Sequence, residues 1–100
     1  MILSIDTSDA KEVKIKLDDL VCSTPSNKDK SQKVLALIDK VLKSHDKTIH
    51  DITEIKVHTG PGSFTGIRVG VSVAQAIGFA CSIPVNGELV TKHQIVLKYE

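Results

Sequence analysis

The sequence predicts an α/β domain: three strands, a helix, a strand and a second helix. Three observations carry that expectation. Glu12 to Asp18 alternates strictly, with Val13, Ile15 and Leu17 set against Glu12, Lys14, Lys16 and Asp18, the period of a half-buried strand. Ser31 to Ser44 places Val34, Leu35, Leu37, Ile38, Val41 and Leu42 at helical spacing. The stretch His58-Thr59-Gly60-Pro61-Gly62-Ser63-Phe64-Thr65-Gly66-Ile67-Arg68-Val69-Gly70 closes a β-type run and opens an apolar segment that reaches Cys81.

The elements follow in order. Ile2, Leu3 and Ile5 are nearly continuous apolar residues, as in a central strand buried on both faces. Asp6-Thr7-Ser8-Asp9 ends it with turn chemistry. Glu12 to Asp18 pairs beside it, and after the Asp18-Asp19 turn Leu20 to Ser23 makes a short third strand. Residues 24–30, which include Pro25, read as a loop. The helix from Ser31 to Ser44 has an apolar arc of roughly 160°, where one lying on a sheet needs only about 100°. The excess calls for a second contact. Ile49 to Ile52 reads as a helical turn, and Glu54 to Thr59 as a strand.

After Gly-Pro-Gly, Ser63 or Thr65 caps a helix that is apolar on nearly all sides. Only Thr65, Arg68, Ser72 and Gln75 form a polar line. Interior Gly70 and Gly78 each cost about 1 kcal/mol relative to alanine, so something is expected to pack close to them. A neighbouring helix of the same chain and a partner helix both satisfy this, and the partner fits better. Ile83-Pro84-Val85 reads as a short strand. Residues 88–100 form a tail on the same domain, a strand or a short helix, with the alternation of Ile95, Leu97 and Tyr99 favouring a strand.

Composition narrows the function. One hundred residues, 41% apolar and 25% charged, make one globular domain with a modest core. A net charge of +1 and only three aromatics, Phe64, Phe79 and Tyr99, argue against a broad nucleic-acid surface built on stacking. Cys22 and Cys81 are far apart and read as buried thiols. The first residues have no basic segment and too short an apolar run for a signal peptide, and no run reaches membrane-spanning length. The expectation is a cytoplasmic protein without a membrane partner.

Two stretches hold candidate chemistry. Asp6, Thr7 and Ser8 end the first strand, where α/β sheets place ligand groups. Gly60, Gly62 and Ser63 at a helix start, with Arg68 one turn on, have the makings of an anion cradle. Each also has a structural reading: an Asx/Ser turn, and a tight turn that seats the helix on the sheet. There is no Gly-Lys-Ser/Thr, no His-x-x-x-His, and no Gly-x-Ser-x-Gly. His45, His50, His58 and His93 read as surface histidines, and neither metal nor cofactor is expected.

Residues 1–8, the helix from Ser31 to Lys43 and above all the stretch from His58 to Gly70 resemble the TsaB (YeaZ) family, over about residues 1–87. The resemblance implies an actin-like ATPase (ribonuclease H-like) domain, with a five-stranded mixed sheet of order 3-2-1-4-5 and two main helices. It also implies a role in forming N6-threonylcarbamoyladenosine at position 37 of tRNA. The implied part is non-catalytic: a subunit that docks on a TsaD-like paralogue, joined by a TsaE-like ATPase, or on a second copy of itself. Contact with tRNA would come only within the complex. The implied docking surface is Leu35, Ile38 and Leu42 on the first helix with Ile67, Val71 and Ala74 on the second. Family members usually continue into a second lobe, and this sequence ends at Glu100. Actin-like ATPases hold nucleotide between two lobes, so a single lobe is expected to have no ATPase activity of its own. The alternatives are a small phosphate-binding or hydrolase domain using Asp6 and the Gly60–Ser63 turn, and a self-associating module.

Overall fold

The computed structural model describes residues 1–26 and 29–90. The element order is β1 (Ile2–Asp6), β2 (Glu12–Leu17), β3 (Leu20–Pro25), α1 (Lys30–Ser44), a 3-10 turn (Ile49–Asp51), β4 (Glu54–Val57) and α2 (Phe64–Cys81). The sheet has four strands in the order β3-β2-β1-β4. β1, β2 and β3 pair antiparallel, and β4 pairs parallel to β1 with Ile5 opposite Val57. The tight turn between β2 and β3 works because Asp18 takes a left-handed conformation (φ 52°), which Asp tolerates. Its carboxylate also accepts the Ile2 N–H at 2.8 Å.

The five-stranded sheet of order 3-2-1-4-5 is corrected to four strands. Val85 touches β4 only as an isolated parallel bridge to Ile55. The physical reason lies on either side of it. Pro84 has no N–H to offer a ladder, and Asn86 turns left-handed (φ 50°) and leads the chain away. The Asn86 amide then does the work of a further strand residue: its Oδ1 accepts the Val57 N–H at 2.9 Å and its Nδ2 donates to the Val57 carbonyl at 3.2 Å.

Both helices cover one face of the sheet. Leu3, Ile5, Val13, Ile15, Leu17, Ile55 and Val57 are buried there beneath Val34, Leu37, Ile38, Val41 and Leu42 of α1 and Val73 and Ala74 of α2. α1 lies over β2 and β3, α2 over β1 and β4. The expectation that β1 is buried on both faces is therefore corrected. Ile2, Ser4 and Asp6 are only half-buried, because the opposite face bears Lys14, Lys16, Lys56 and His58 around a shallow concavity of about 370 Å³. β3 runs two residues further than expected, to Pro25 at its end. The loop expected at residues 24–30 is accordingly shorter. Of the tail at 88–100, only residues 88–90 are described, and its expected strand or helix lies outside the described residues. Cys22 and Cys81 are both free thiols and half-buried.

Candidate functional site: the strand end, the turn and the helix it launches

β1 ends at Asp6, and the two residues that follow are held against α2 rather than presented to solvent. Thr7 is fully buried, and its hydroxyl donates to the Gly66 carbonyl. The Ser63 N–H donates to the Ser8 carbonyl at 2.7 Å. This close seating requires glycine on the helix side. A Cβ on Gly66 would strike the Thr7 carbonyl oxygen, and one on Gly70 would strike Thr7 Oγ1. A Cβ on Gly62 would come within 2.5 Å of Ser8 Cβ, and Gly62 also has a φ of 150°. Gly62, Gly66 and Gly70, four residues apart, thus make the groove that receives Thr7 and Ser8.

The turn before the helix is tied down from its own flank. His58 Nε2 lies 3.0 Å from the Pro61 carbonyl, and the Gly60–Pro61 peptide is cis. Ser63 is the N-cap, its hydroxyl accepting the Gly66 N–H at 3.2 Å. Of the four N–H groups that open the helix, those of Ser63 and Gly66 are therefore already taken by protein oxygens.

The six residues that an anion cradle would use are engaged mostly with the chain itself, in keeping with the tight-turn reading of this stretch. Thr7 is inside the core. Gly62 is pressed on Ser8, and a Cβ on Gly60 would point into open space. Ser63 spends its hydroxyl on the cap. Arg68 is exposed, with its guanidinium 5.7 Å from the Phe64 ring centroid, and borders a groove with Thr59, Ile67, Val71 and Ser72. Asp6 accepts from the Ser8 hydroxyl at 2.5 Å and the Ser8 N–H at 2.9 Å. Partial burial pushes the Asp6 carboxyl up, but those two hydrogen bonds, with the charges of His58 and Lys14, outweigh it and hold it below its ordinary value. What the geometry does is weld the end of β1 to the start of α2.

The comparisons with known proteins meet at this region. The family model described as TsaD, tRNA N6-adenosine threonylcarbamoyltransferase, matches residues 24–88. The tRNA threonylcarbamoyladenosine biosynthesis protein TsaB of Buchnera aphidicola subsp. Schizaphis graminum is 36% identical over 90 residues, which is 87% of this chain and 43% of that protein. TsaB of Bacillus subtilis is 32% identical over 89 residues, 85% of this chain and 39% of its own length. YeaZ from Pseudomonas aeruginosa superposes with a TM-score of 0.69 at 26% identity, over 84% of this chain and 41% of that chain. The chain belongs to the TsaB (YeaZ) family. It spans about two fifths of the length of these relatives.

The docking surface implied by the TsaB resemblance is divided by the structure. Ile38, Leu42 and Ala74 are core residues, 5%, 6% and 0% exposed, and are not available on this chain's surface. They fill the space between the helices and the sheet, which the breadth of the apolar arc did not reveal. Leu35 is exposed on α1. Ile67 and Val71 are half-buried and line a groove with Thr59, and Val71 also lines a cavity with Val57 of β4; Leu35 borders neither. The exposed apolar residues that sequence reasoning missed are Phe64, Ala76, Phe79 and Ala80 of α2. Phe79 stands on the continuation of the polar line of Thr65, Arg68, Ser72 and Gln75 and interrupts it. The line itself is interrupted again at Gln75, which is buried, with its Oε1 lacking a hydrogen-bond partner among the described residues. Gln75 lines a cavity of about 310 Å³ with Val57, Val71, Val85 and Asn86.

Proposed function

We propose that this chain is a non-catalytic docking subunit in the formation of N6-threonylcarbamoyladenosine on tRNA, and that it binds a TsaD-like paralogue through its two helices. The biochemical setting rests on the names of the TsaB relatives. The docking role rests on one observation: α2 is apolar on nearly all sides, yet among the described residues only six of its 18 residues are fully buried, three of them glycine. A helix that apolar is ordinarily covered on nearly all sides. The exposed residues are large as well as apolar, with Phe64 73% exposed, Leu35 50% and Phe79 45%.

Leu35 is on the flank of α1 that serves this reading. At about 100° per residue it stands some 200° from Lys33, which borders β3, so Leu35 leans toward α2. Leu35, Ala76, Phe79 and Ala80 then form the surface on which a partner helix packs. The non-catalytic part of the reading is supported by the strand end. Thr7, Ser8 and Ser63 use their polar groups on protein atoms. A TsaE-like ATPase joins through the paralogue in this reading, and tRNA is met only in the assembled complex.

Co-expression with a TsaD-like paralogue tests the reading. The two chains co-elute as one complex, and Leu35→Glu together with Phe79→Glu releases this chain as a folded monomer. Unchanged co-elution of the double variant refutes the surface. Co-elution of this chain only with itself, dispersed by the same variant, assigns the surface to a homodimer instead.

A further inference from the structure

The two edges of the sheet are finished differently. At β4 the outward groups of Ile55 are taken by the Pro84 carbonyl and the Asn86 N–H, and those of Val57 by the Asn86 side chain. The β3 edge has no such cover among the described residues. Its six residues, Leu20-Val21-Cys22-Ser23-Thr24-Pro25, include none of the charged side chains that commonly guard an edge, and only a terminal proline. Val21 is 61% exposed.

The hydrogen-bond parity of this edge follows from the turn. Leu17 and Leu20 close a two-residue hairpin loop, so they form a hydrogen-bonded pair. Leu20, Cys22 and Thr24 therefore turn their backbone groups toward β2, and the Ser26 N–H donates to the Lys11 carbonyl in the same parity. Val21 and Ser23 turn theirs outward, offering N–H and C=O in strand geometry, with one further C=O from Pro25.

Above this edge lies a groove of about 210 Å³ lined by Ser23, Thr24, Lys33, Ala36, Leu37 and Lys40. Lys33 and Lys40 are exposed and form no ion pair among the described residues, whereas their neighbour Lys43 pairs with Asp39 at 3.0 Å. Seven residues separate the two lysines, two helical turns and about 10 Å, between the roughly 7 Å and 13 Å that separate same-face side chains two and four residues apart on an extended chain, a difference the long lysine side chains can span. Among the described residues no acidic side chain lines the groove.

We propose that β3 is a docking edge for an extended acidic segment of a partner polypeptide. The segment adds as a further strand on the outward groups of Val21 and Ser23, and its alternate Asp or Glu side chains reach Lys33 and Lys40. A second copy of this chain is the poorer occupant. Pairing β3 with β3 sets α1 beside α1 and opposes two pairs of lysines. The surface is at the opposite edge of the sheet from β4 and uses neither Leu35 nor Phe79, so it stands or falls apart from the docking role proposed above.

The test uses the full chain and a fluorescein-labelled octapeptide of alternating Glu and Val, with alternating Lys and Val as control. The acidic peptide binds, added salt weakens it, and the Val21 and Ser23 amide protons become slower to exchange in the complex. Lys33→Glu with Lys40→Glu, both at exposed positions, lowers the affinity about tenfold or more, as expected when two favourable surface pairs become repulsive. Three results overturn the proposal: equal binding by the charge-reversed variant, new protection that falls outside β3, or a dimer of the chain alone that Val21→Lys disperses.

Discussion

The seating of Thr7 in the glycine groove of α2 can be tested by a double-mutant cycle at Gly70. A Cβ at this position would collide with Thr7 Oγ1, while its other neighbours, Ile5 Cγ2 and Thr7 Cβ, lie at an ordinary 3.5 Å. Thr7 cannot swing away without giving up its hydrogen bond to the Gly66 carbonyl. Gly70→Ala alone therefore combines an overpacking cost of about 1–3 kcal/mol with a helix-propensity gain of about 1 kcal/mol. The net is a loss of up to about 2 kcal/mol. Thr7→Ala alone loses one buried hydrogen bond, about 1–1.5 kcal/mol. In the double variant the colliding oxygen is gone. Gly70→Ala then becomes neutral or stabilising by up to about 1 kcal/mol, so the two changes couple favourably by about 2 kcal/mol. For a domain of this size that is roughly 10 °C in Tm recovered relative to additivity. Thermal unfolding of the four proteins by circular dichroism reads it directly. Additive losses would show that Gly70 is not placed against Thr7, and the account of the strand end would fail.

Further predictions follow from the same structure. Asn86→Ala removes both side-chain bonds to Val57 and destabilises the chain by about 1–3 kcal/mol, with faster amide exchange at Val57; unchanged exchange there would refute the strand-mimicking role. Asp6 has a folded pKa below its unfolded value, so its stabilising contribution is full above the unfolded pKa and is lost as the pH falls through the folded one. Asp6→Asn therefore shows a shallower fall in urea midpoint between about pH 5 and pH 2 than the wild type. Asp51, whose carboxyl is also held low, chiefly by the Thr48 N–H, still contributes to the acid response of that variant. Equal acid limbs would mean that Asp6 gains nothing from Ser8, His58 and Lys14. Gln75→Leu removes an unpartnered buried oxygen and leaves stability equal or higher; a loss of more than about 1 kcal/mol would show that the amide has a partner.

Much of the fold was legible because it depends on local pattern. The strict alternation of Glu12 to Asp18 gave β2 and its buried face. Gly-Pro-Gly followed by Ser63 gave the strand, the turn and the cap. The fifth strand was not legible, because its failure depends on Asn86 occupying the ladder with a side chain, which no periodicity records. The choice between an anion cradle and a tight turn was not legible for a related reason. Gly62, Gly66 and Gly70 are as suited to admitting Thr7 and Ser8 of the same chain as to admitting a ligand, and only the tertiary contact decides between them. The helical surface was half legible. An apolar arc of 160° reports an excess of apolar residues but not which of them the sheet consumes. Ile38, Leu42 and Ala74 were consumed, and Leu35 and Phe79 were left over.

The most direct test of the docking role is native mass spectrometry of this chain mixed with a TsaD-like paralogue. The account predicts one species whose mass is that of a complex of the two, lost when Leu35 and Phe79 are both replaced by Glu while the free variant stays folded. A spectrum holding only the separate chains at micromolar concentration, under conditions where each is folded, would contradict it.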